Sequence, residues 1–280
     1  MANRAPRLPA RRKDELAAYV AEVGQVTVNE LAEHFDVSPD TVRRDLDELA
    51  VDGRVKRTHG GAVRISPLSR SESSLTERMG VQDAAKNRIG EAAAALIEDG
   101  QTILLNGGTT ALAVLPHLAP RRDLTLVTNN LWAPGKVPPE CMRDVYLLGG
   151  TVRLTSQVTI GPVEFAGTSG SRSHRIHADV ALIGVGGVAA GLGYSTSNLQ
   201  EARMMFEMMQ SSRQIAVLAD HSKFDRSTFA QVADLDVADL LVTDAPLEAR
   251  MAEALATAEV EVIVAGEPAA PAVRAVVERE

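Results

Sequence analysis

Cysteine is almost missing from this chain: Cys141 is the only one in 280 residues. An intrachain disulfide and a cysteine-based zinc site are therefore excluded, and a reducing cytoplasm is the expected setting. Aromatic residues make up 3%, too few for a platform on which single-stranded nucleic acid could stack. No run of about 18 uncharged apolar residues occurs, so no membrane-spanning helix is expected. The basic opening MANRAPRLPARRKDEL has no apolar stretch behind it and does not read as a secretory signal. His174 and His177 lie close together without a third ligand, so neither a metal nor another cofactor is expected. What remains is 45% hydrophobic and 24% charged. That is a globular composition, with length for about two domains.

The net charge is −8, which argues against a nucleic-acid partner until it is located. Residues 1–65 hold 11 basic and 11 acidic side chains, so all the net negative charge lies further on. Within the neutral stretch the cations cluster: Arg11, Arg12 and Lys13, then Arg43 and Arg44, then Arg54, Lys56 and Arg57. Any affinity for DNA must come from such local patches.

Local signals give this stretch a shape. DELAAYVAEV carries apolar residues on one helical face and stops at Gly24. A short β-branched segment, Val26 to Val28, precedes Asn29, which is expected to cap the helix ELAEHF. Asp36 and Val37 make a tight turn. Ser38 as cap and Pro39 at the first helical position open a third helix, TVRRDLDELAVDG, expected to end at Gly53. Apolar positions alternate around Gly60-Gly61 and predict a hairpin. Three helices and a hairpin make a winged helix-turn-helix. Its third helix would enter the major groove, with Ser38, Asp40, Thr41, Arg43 and Arg44 facing bases and phosphates. Arg54, Lys56, Arg57 and His59 of the wing would grip the flanking backbone. The alternative is a three-helix interaction module with an ordinary charged surface.

The stretch VTVNELAEHFDVSPDTVRRDLDELAVDGRVKRTHGGAV resembles the DNA-binding module of DeoR-type transcriptional regulators, most tellingly in VSPDTVRRDL and HGGA. The domain boundaries expected are 8–65 for this head, 66–74 for a Ser/Pro-rich linker, 75–245 for a sensor, and 246–280 for a segment completing its sheet and a tail.

After the linker, helices alternate with apolar strands, which predicts an α/β domain with a largely parallel sheet. Ligands of such sheets bind beyond the carboxyl ends of the strands. RMGVQDAAKNRIGEAAAALIEDG reads as one helix, and TTALAVLPHL as another. Between them, Asn106, Gly107, Gly108, Thr109 and Thr110 form a strand-to-helix turn suited to a phosphate. The turn lacks the Lys of a Walker loop and the third glycine of a dinucleotide fingerprint. Other strand ends offer Thr128, Asn129 and Asn130, the pair Gly149-Gly150, Gly184, and the cation Lys223. Asp179 begins a strand and joins them as a candidate. A phosphate end with hydroxyl-binding groups suits a phosphorylated sugar. The run MMFEMM is read as core packing, and Cys141 as an inert buried thiol.

This half resembles the DeoR-family sensor domain over about residues 75–245. The resemblance implies a fold like that of ribose-5-phosphate isomerase and coenzyme A transferases, and a phosphorylated sugar or related metabolite as effector. It departs at Asn106-Gly107, where the family usually has an acidic residue and a serine. The expected function is a DNA-binding regulator, a repressor of sugar or carbon catabolism genes, acting as a homodimer or homotetramer on double-stranded operator DNA. Two alternatives stand beside it. One is a sugar-phosphate isomerase with a DNA-binding head, for which Asp179 would be the base. The other is an activator.

Overall fold

A computed structural model describes residues 9–51, 54–58, 60–64, 75–165 and 174–266. The 66–74 linker, His59 and the tail beyond 266 lie outside the described residues. The chain divides into two compact units, one on either side of residues 71–72.

In the first unit, α1 (Pro9–Val23) buries Leu16, Ala17 and Val20. Strand β1 (Gln25–Thr27) leads directly into α2 (Val28–Phe35). The cap of α2 is Thr27, not the expected Asn29. The Thr27 hydroxyl accepts from the Glu30 N–H at 3.3 Å, and the Glu30 carboxylate accepts from the Thr27 N–H at 2.7 Å. This reciprocal box satisfies two backbone donors at once, which Asn29 could not do from inside the first turn. Asp36, at φ 54°, ends α2 in the left-handed region, where aspartate is among the tolerated residues. The third helix, α3 (Pro39–Val51), buries Val42, Leu46 and Leu49 against α1 and α2. Strands β2 (Val55–Thr58) and β3 (Gly61–Arg64) form the wing hairpin. β1 pairs antiparallel with β3, so the wing is a three-stranded sheet. Gly61 permits this, because a Cβ there would lie 2.0 Å from the Val26 carbonyl oxygen.

In the second unit, the single helix expected from residue 78 to 100 is two. α4 (Leu75–Gly80) and α5 (Asp83–Ala95) are separated by Gln82 at φ 57°. A left-handed glutamine breaks the ladder although the apolar spacing runs on. Then follow β4 (Thr102–Leu105), α6 (Thr109–Leu112), β5 (Leu124–Thr128) and β6 (Met142–Leu147). β7 (Thr151–Arg153) and β8 (Val158–Ile160) form a hairpin, and β9 (Glu164–Phe165) pairs with β10 (His174–Arg175). Next come β11 (Ala178–Gly184), β12 (Gly187–Ala189), β13 (Gly193–Thr196), α7 (Leu199–Gln210), β14 (Ser212–Leu218), β15 (Ala230–Ala233), β16 (Leu240–Thr243), α8 (Ala249–Thr257) and β17 (Glu261–Val264).

Seven strands make one sheet in the order β17-β16-β14-β11-β4-β5-β6, parallel throughout. Its two faces carry separate cores. Val180 and Leu182 pack with Ile89, Ala93 and Ile97 of the α5 region. Ala181 and Ile183 pack with Met204, Met205, Met208 and Met209 of α7. The methionine run is therefore core, as its spacing implies. The β12-β13-β15 sheet is antiparallel and closes over the α7 side.

Thr27→Ala removes half of the capping box and should lower stability of the head by about 1 kcal/mol in chemical denaturation. The Glu30 carboxyl is held below its usual range by bonds from the Thr27 N–H and hydroxyl. That support is full above the carboxylate range and is lost as pH falls through it. The gap between wild type and variant should therefore narrow in acid.

Candidate functional site

Because every strand of the seven-stranded sheet runs the same way, the carboxyl ends of β4, β5, β11, β14 and β16 open on one edge. The β4–α6 turn lies there, and its two glycines are dictated by space and angle. A Cβ at Gly107 would lie 2.0 Å from Val158 Cγ1, and Gly108 stands at φ 147°. α6 is only four residues long, followed by a 3-10 turn over Leu115–Leu118 with Pro116 in its first positions. The expected ten-residue helix is thus absent, and with it most of the dipole expected to hold an anion. What remains in the turn is its backbone and the hydroxyls of Thr109 and Thr110.

The Asn106 amide is engaged within the fold. Its Oδ1 accepts from the Gly184 N–H and its Nδ2 donates to the Gly184 carbonyl, both at 2.8 Å. The amide bonds both backbone groups of one glycine and pins the end of β4 to the end of β11. A carboxylate cannot donate, so the asparagine suits this pin and an acid would not. Gly184 is likewise one half of the pin. Thr128 is fully buried. Its hydroxyl donates to the Leu105 carbonyl at 2.7 Å and accepts from the Asn130 N–H at 3.1 Å. Gly150 makes room for the protein itself, since a Cβ there would lie 2.2 Å from the Ile160 carbonyl oxygen, whereas a Cβ at Gly149 would meet nothing within 4 Å. Asp179 sits at the opposite edge of the sheet, about 16 Å along β11 from Gly184 at the usual strand rise. There it accepts from the Thr102 N–H at 2.8 Å. Asn106, Gly184, Thr128, Gly150 and Asp179 are thus engaged within the fold, and the base required by an isomerase reading is away from the strand ends.

Other groups retain unused capacity at the edge. Asn129 donates to the Thr159 carbonyl at 2.8 Å, but its buried Oδ1 has no hydrogen-bond partner. That oxygen lies 3.6 Å from where a Gly107 Cβ would stand. Asn130 Oδ1 accepts from the Trp132 N–H at 3.0 Å, and its Nδ2 has no partner. Lys223 lies half-buried in the 3-10 turn that Asp220 caps.

A cation that the sequence reading passed over stands beside this turn. Lys86, on the buried face of α5 with Ala85, Ile89 and Ala93, is only 5% exposed. Its Nζ donates to the Arg78 carbonyl at 2.6 Å and to that of Val81. Its pKa is brought down to about 8, chiefly by burial and also by Lys223 and Arg78, against the opposing pull of Asp220 and Asp83. Asp220 is 1% exposed. Its Oδ1 accepts from the Ser222 N–H at 3.0 Å, and its Oδ2 has no hydrogen-bond partner. One lysine interrupting an apolar stripe was the available signal. His221 Nδ1 and Asp244 Oδ2 lie 2.9 Å apart at the same edge, with Arg88 on the same carboxylate at 3.3 Å.

In the first unit, Ser38 caps α3: its Oγ accepts from the Thr41 N–H at 3.2 Å and lies 2.9 Å from the Thr41 hydroxyl. Asp40, Arg43 and Arg44 are exposed on α3. The expected basic clusters are largely paired inside the chain. Arg12 grips the buried Asp45 at 2.7 and 3.2 Å, and Lys13 pairs with Glu48. Arg43 pairs with Asp40 at 2.5 Å, Arg54 with Asp14 at 2.7 Å, and Arg57 with Asp47 at 2.8 Å. Arg57 also donates to the Gly61 carbonyl at 2.7 Å, which braces the wing. Lys56 lies in β2. Arg44 has no ion pair among the described residues.

Two family models cover most of the chain. The DeoR-like helix-turn-helix domain matches residues 12–67, and the DeoR C terminal sensor domain matches 81–245. The chain belongs to the DeoR family. Among curated relatives of this DeoR-family chain is the HTH-type transcriptional regulator GlpR of Haloferax volcanii, 31% identical over 91% of this chain and 98% of its own. The glycerol-3-phosphate regulon repressor of Escherichia coli K12 is 31% identical, over 84% and 91%. The repressor GlcR of Bacillus subtilis is 31% identical, over 81% and 84%. Among solved structures, a ribose 5-phosphate isomerase from Plasmodium falciparum matches 51% of this chain and 53% of its own, at 15% identity and a TM-score of 0.35. The DeoR-family chain is a DNA-binding transcriptional regulator. No described helix is long and apolar enough to cross a membrane.

Asn106→Asp should destabilise the sensor unit by about 2 kcal/mol or more at neutral pH, because the Gly184 carbonyl loses its donor and a charge is buried. Lowering the pH protonates the acid and restores a donor, so the loss should shrink on acidification. Urea melts at pH 7.5 and pH 5 check both.

Proposed function

We propose that this chain is a repressor of sugar or carbon catabolism genes, released from its operator by a phosphorylated sugar or related metabolite. The names of the E. coli and B. subtilis relatives, both repressors, support the sign of the effect. The observation that carries the DNA reading is α3. It begins after the left-handed Asp36, is capped by Ser38, and presents Asp40, Arg43 and Arg44 to solvent while Val42, Leu46 and Leu49 hold its other face. That is a helix packed to be inserted in a major groove. Arg44 makes the base or phosphate contact directly. Arg43, Arg54 and Arg57 exchange an aspartate for a phosphate, and Lys56 and His59 add further phosphate contacts. Ser38 and Thr41 fix the register of α3 on the backbone. Two heads on a homodimer or homotetramer read two half-sites.

In the sensor, the ligand sits at the carboxyl edge. Thr109, Thr110 and the Gly107–Gly108 backbone face its phosphate with Lys223, and Asn129 and Asn130 bond its hydroxyls. Binding favours an arrangement of the assembly in which the heads no longer match the half-sites. A coupling of about 1–3 kcal/mol gives a roughly 5- to 150-fold change in operator affinity.

Arg44→Ala should weaken binding to an operator selected by the wild type from a random duplex pool. The expected loss is about 1–3 kcal/mol, with a shallower salt dependence if the contact is to phosphate. Unchanged affinity in a gel shift would remove α3 from the groove. A melting screen against glycerol 3-phosphate, sugar phosphates and inorganic phosphate identifies the effector by the rise it causes. Lys223→Ala and Thr109→Val should abolish that rise and the release of DNA while leaving operator affinity intact. A full response in both would exclude this edge.

A further inference from the structure

We propose that Lys86 couples the occupied sensor site to α4, the first described element after the linker, by moving its ammonium from the α4 carbonyls to Asp220. The inference rests on the effector site proposed above. Lys86 reaches back from α5 and donates to the Arg78 carbonyl at 2.6 Å and to that of Val81, at the end of α4 and in the turn that follows. The turn ends in Gln82 at φ 57°, a conformation that glutamine adopts only where its surroundings impose it. The start of α4 is held separately, by the buried Leu75, whose N–H donates to the Thr155 carbonyl at 3.0 Å. α4 also packs on α6, which carries Thr109 and Thr110. Lys86 is therefore the fastening of the loose end of a segment that touches the proposed site.

Asp220 is the carboxylate that attracts the ammonium most. Asp220 is 1% exposed, and its Oδ2 has no hydrogen-bond partner. A buried carboxylate oxygen left in this state is unfavourable by more than an ordinary missing bond. The charged groups acting on Lys86 are Asp220 and Asp83, which attract it, and Lys223 and Arg78, which repel it. An anion bound by Lys223 neutralises part of that repulsion beside Asp220. The balance then shifts toward Asp220 and away from the two carbonyls. In the present arrangement the ammonium donates to the two carbonyls and not to Asp220, whose Oδ2 is without a partner among the described residues. The move frees the end of α4.

Hydrogen exchange of the full chain tests the fastening without a ligand. In Lys86→Met, amides over 75–82 should exchange several-fold faster than in wild type, with 88–95 unchanged, whereas Lys86→Arg, which still donates, stays near wild type. Removing one buried charge can lower stability, so melting temperatures are compared alongside, and Lys86→Arg, which keeps charge and donors, serves as the control. The response arm uses glycerol 3-phosphate and inorganic phosphate. Lys86→Met should keep the operator affinity and any ligand-induced rise in melting temperature but lose ligand-induced release, and Lys86→Arg should recover it. Wild-type exchange over 75–82 in Lys86→Met, or release of wild-type size, overturns the proposal. If neither compound affects the wild type, the choice of effector fails, and the exchange comparison alone decides for or against Lys86.

Discussion

The sensor depends on one side-chain amide. Asn106 bonds both the N–H and the carbonyl of Gly184 and so fastens β4 to β11 where their backbone ladder runs out. The Gly107–Gly108 turn starts at the next residue, and α6 starts after it. Thr128 adds a second tie, from β5 to the Leu105 carbonyl. Polar side chains at the end of a parallel sheet thus divide into those that close the edge and those left with capacity for a ligand. Hydrogen-bond accounting separates the two groups where residue type does not.

The same accounting applies to the head. Its cations are not a uniform basic surface: Arg12 is bound to a buried aspartate and is part of the packing of α1 on α3. The pairs made by Arg43 and Arg54 are exposed. Exposed pairs contribute about 0–1 kcal/mol, so a phosphate can replace the carboxylate at small cost. Arg12 cannot be redirected that way without stranding Asp45.

The helix-turn-helix was legible because its determinants are local. Ser38 and Pro39 open α3, Asp36 closes α2, and the apolar spacing gives each helix its buried face. The cap of α2 was misread by two residues, because Thr27 at the end of β1 completes a box that only the Glu30 side chain reveals. In the sensor, the parallel strands were legible from their apolar runs, and the break at Gln82 was not, since the apolar stripe continues through it. The role of Asn106 depends on a glycine 78 residues away, and that of Asp179 on a backbone N–H 77 residues away. The antiparallel β12-β13-β15 sheet likewise rests on long-range pairing. Lys86 was visible as a charge on a buried face, but its meaning came only from the two carbonyls it holds.

The ion pairs along α3 have a consequence for how the protein searches a chromosome. A head with equal numbers of basic and acidic residues, in which Arg12, Lys13, Arg43, Arg54 and Arg57 are already answered by its own carboxylates, is expected to have little hold on arbitrary duplex. Non-cognate affinity is set almost wholly by phosphate neutralisation. Weak retention there leaves a larger share of the molecules free to find the few sequences whose base edges compensate for breaking those pairs. Discrimination between target and background is thereby raised without tightening the complex itself.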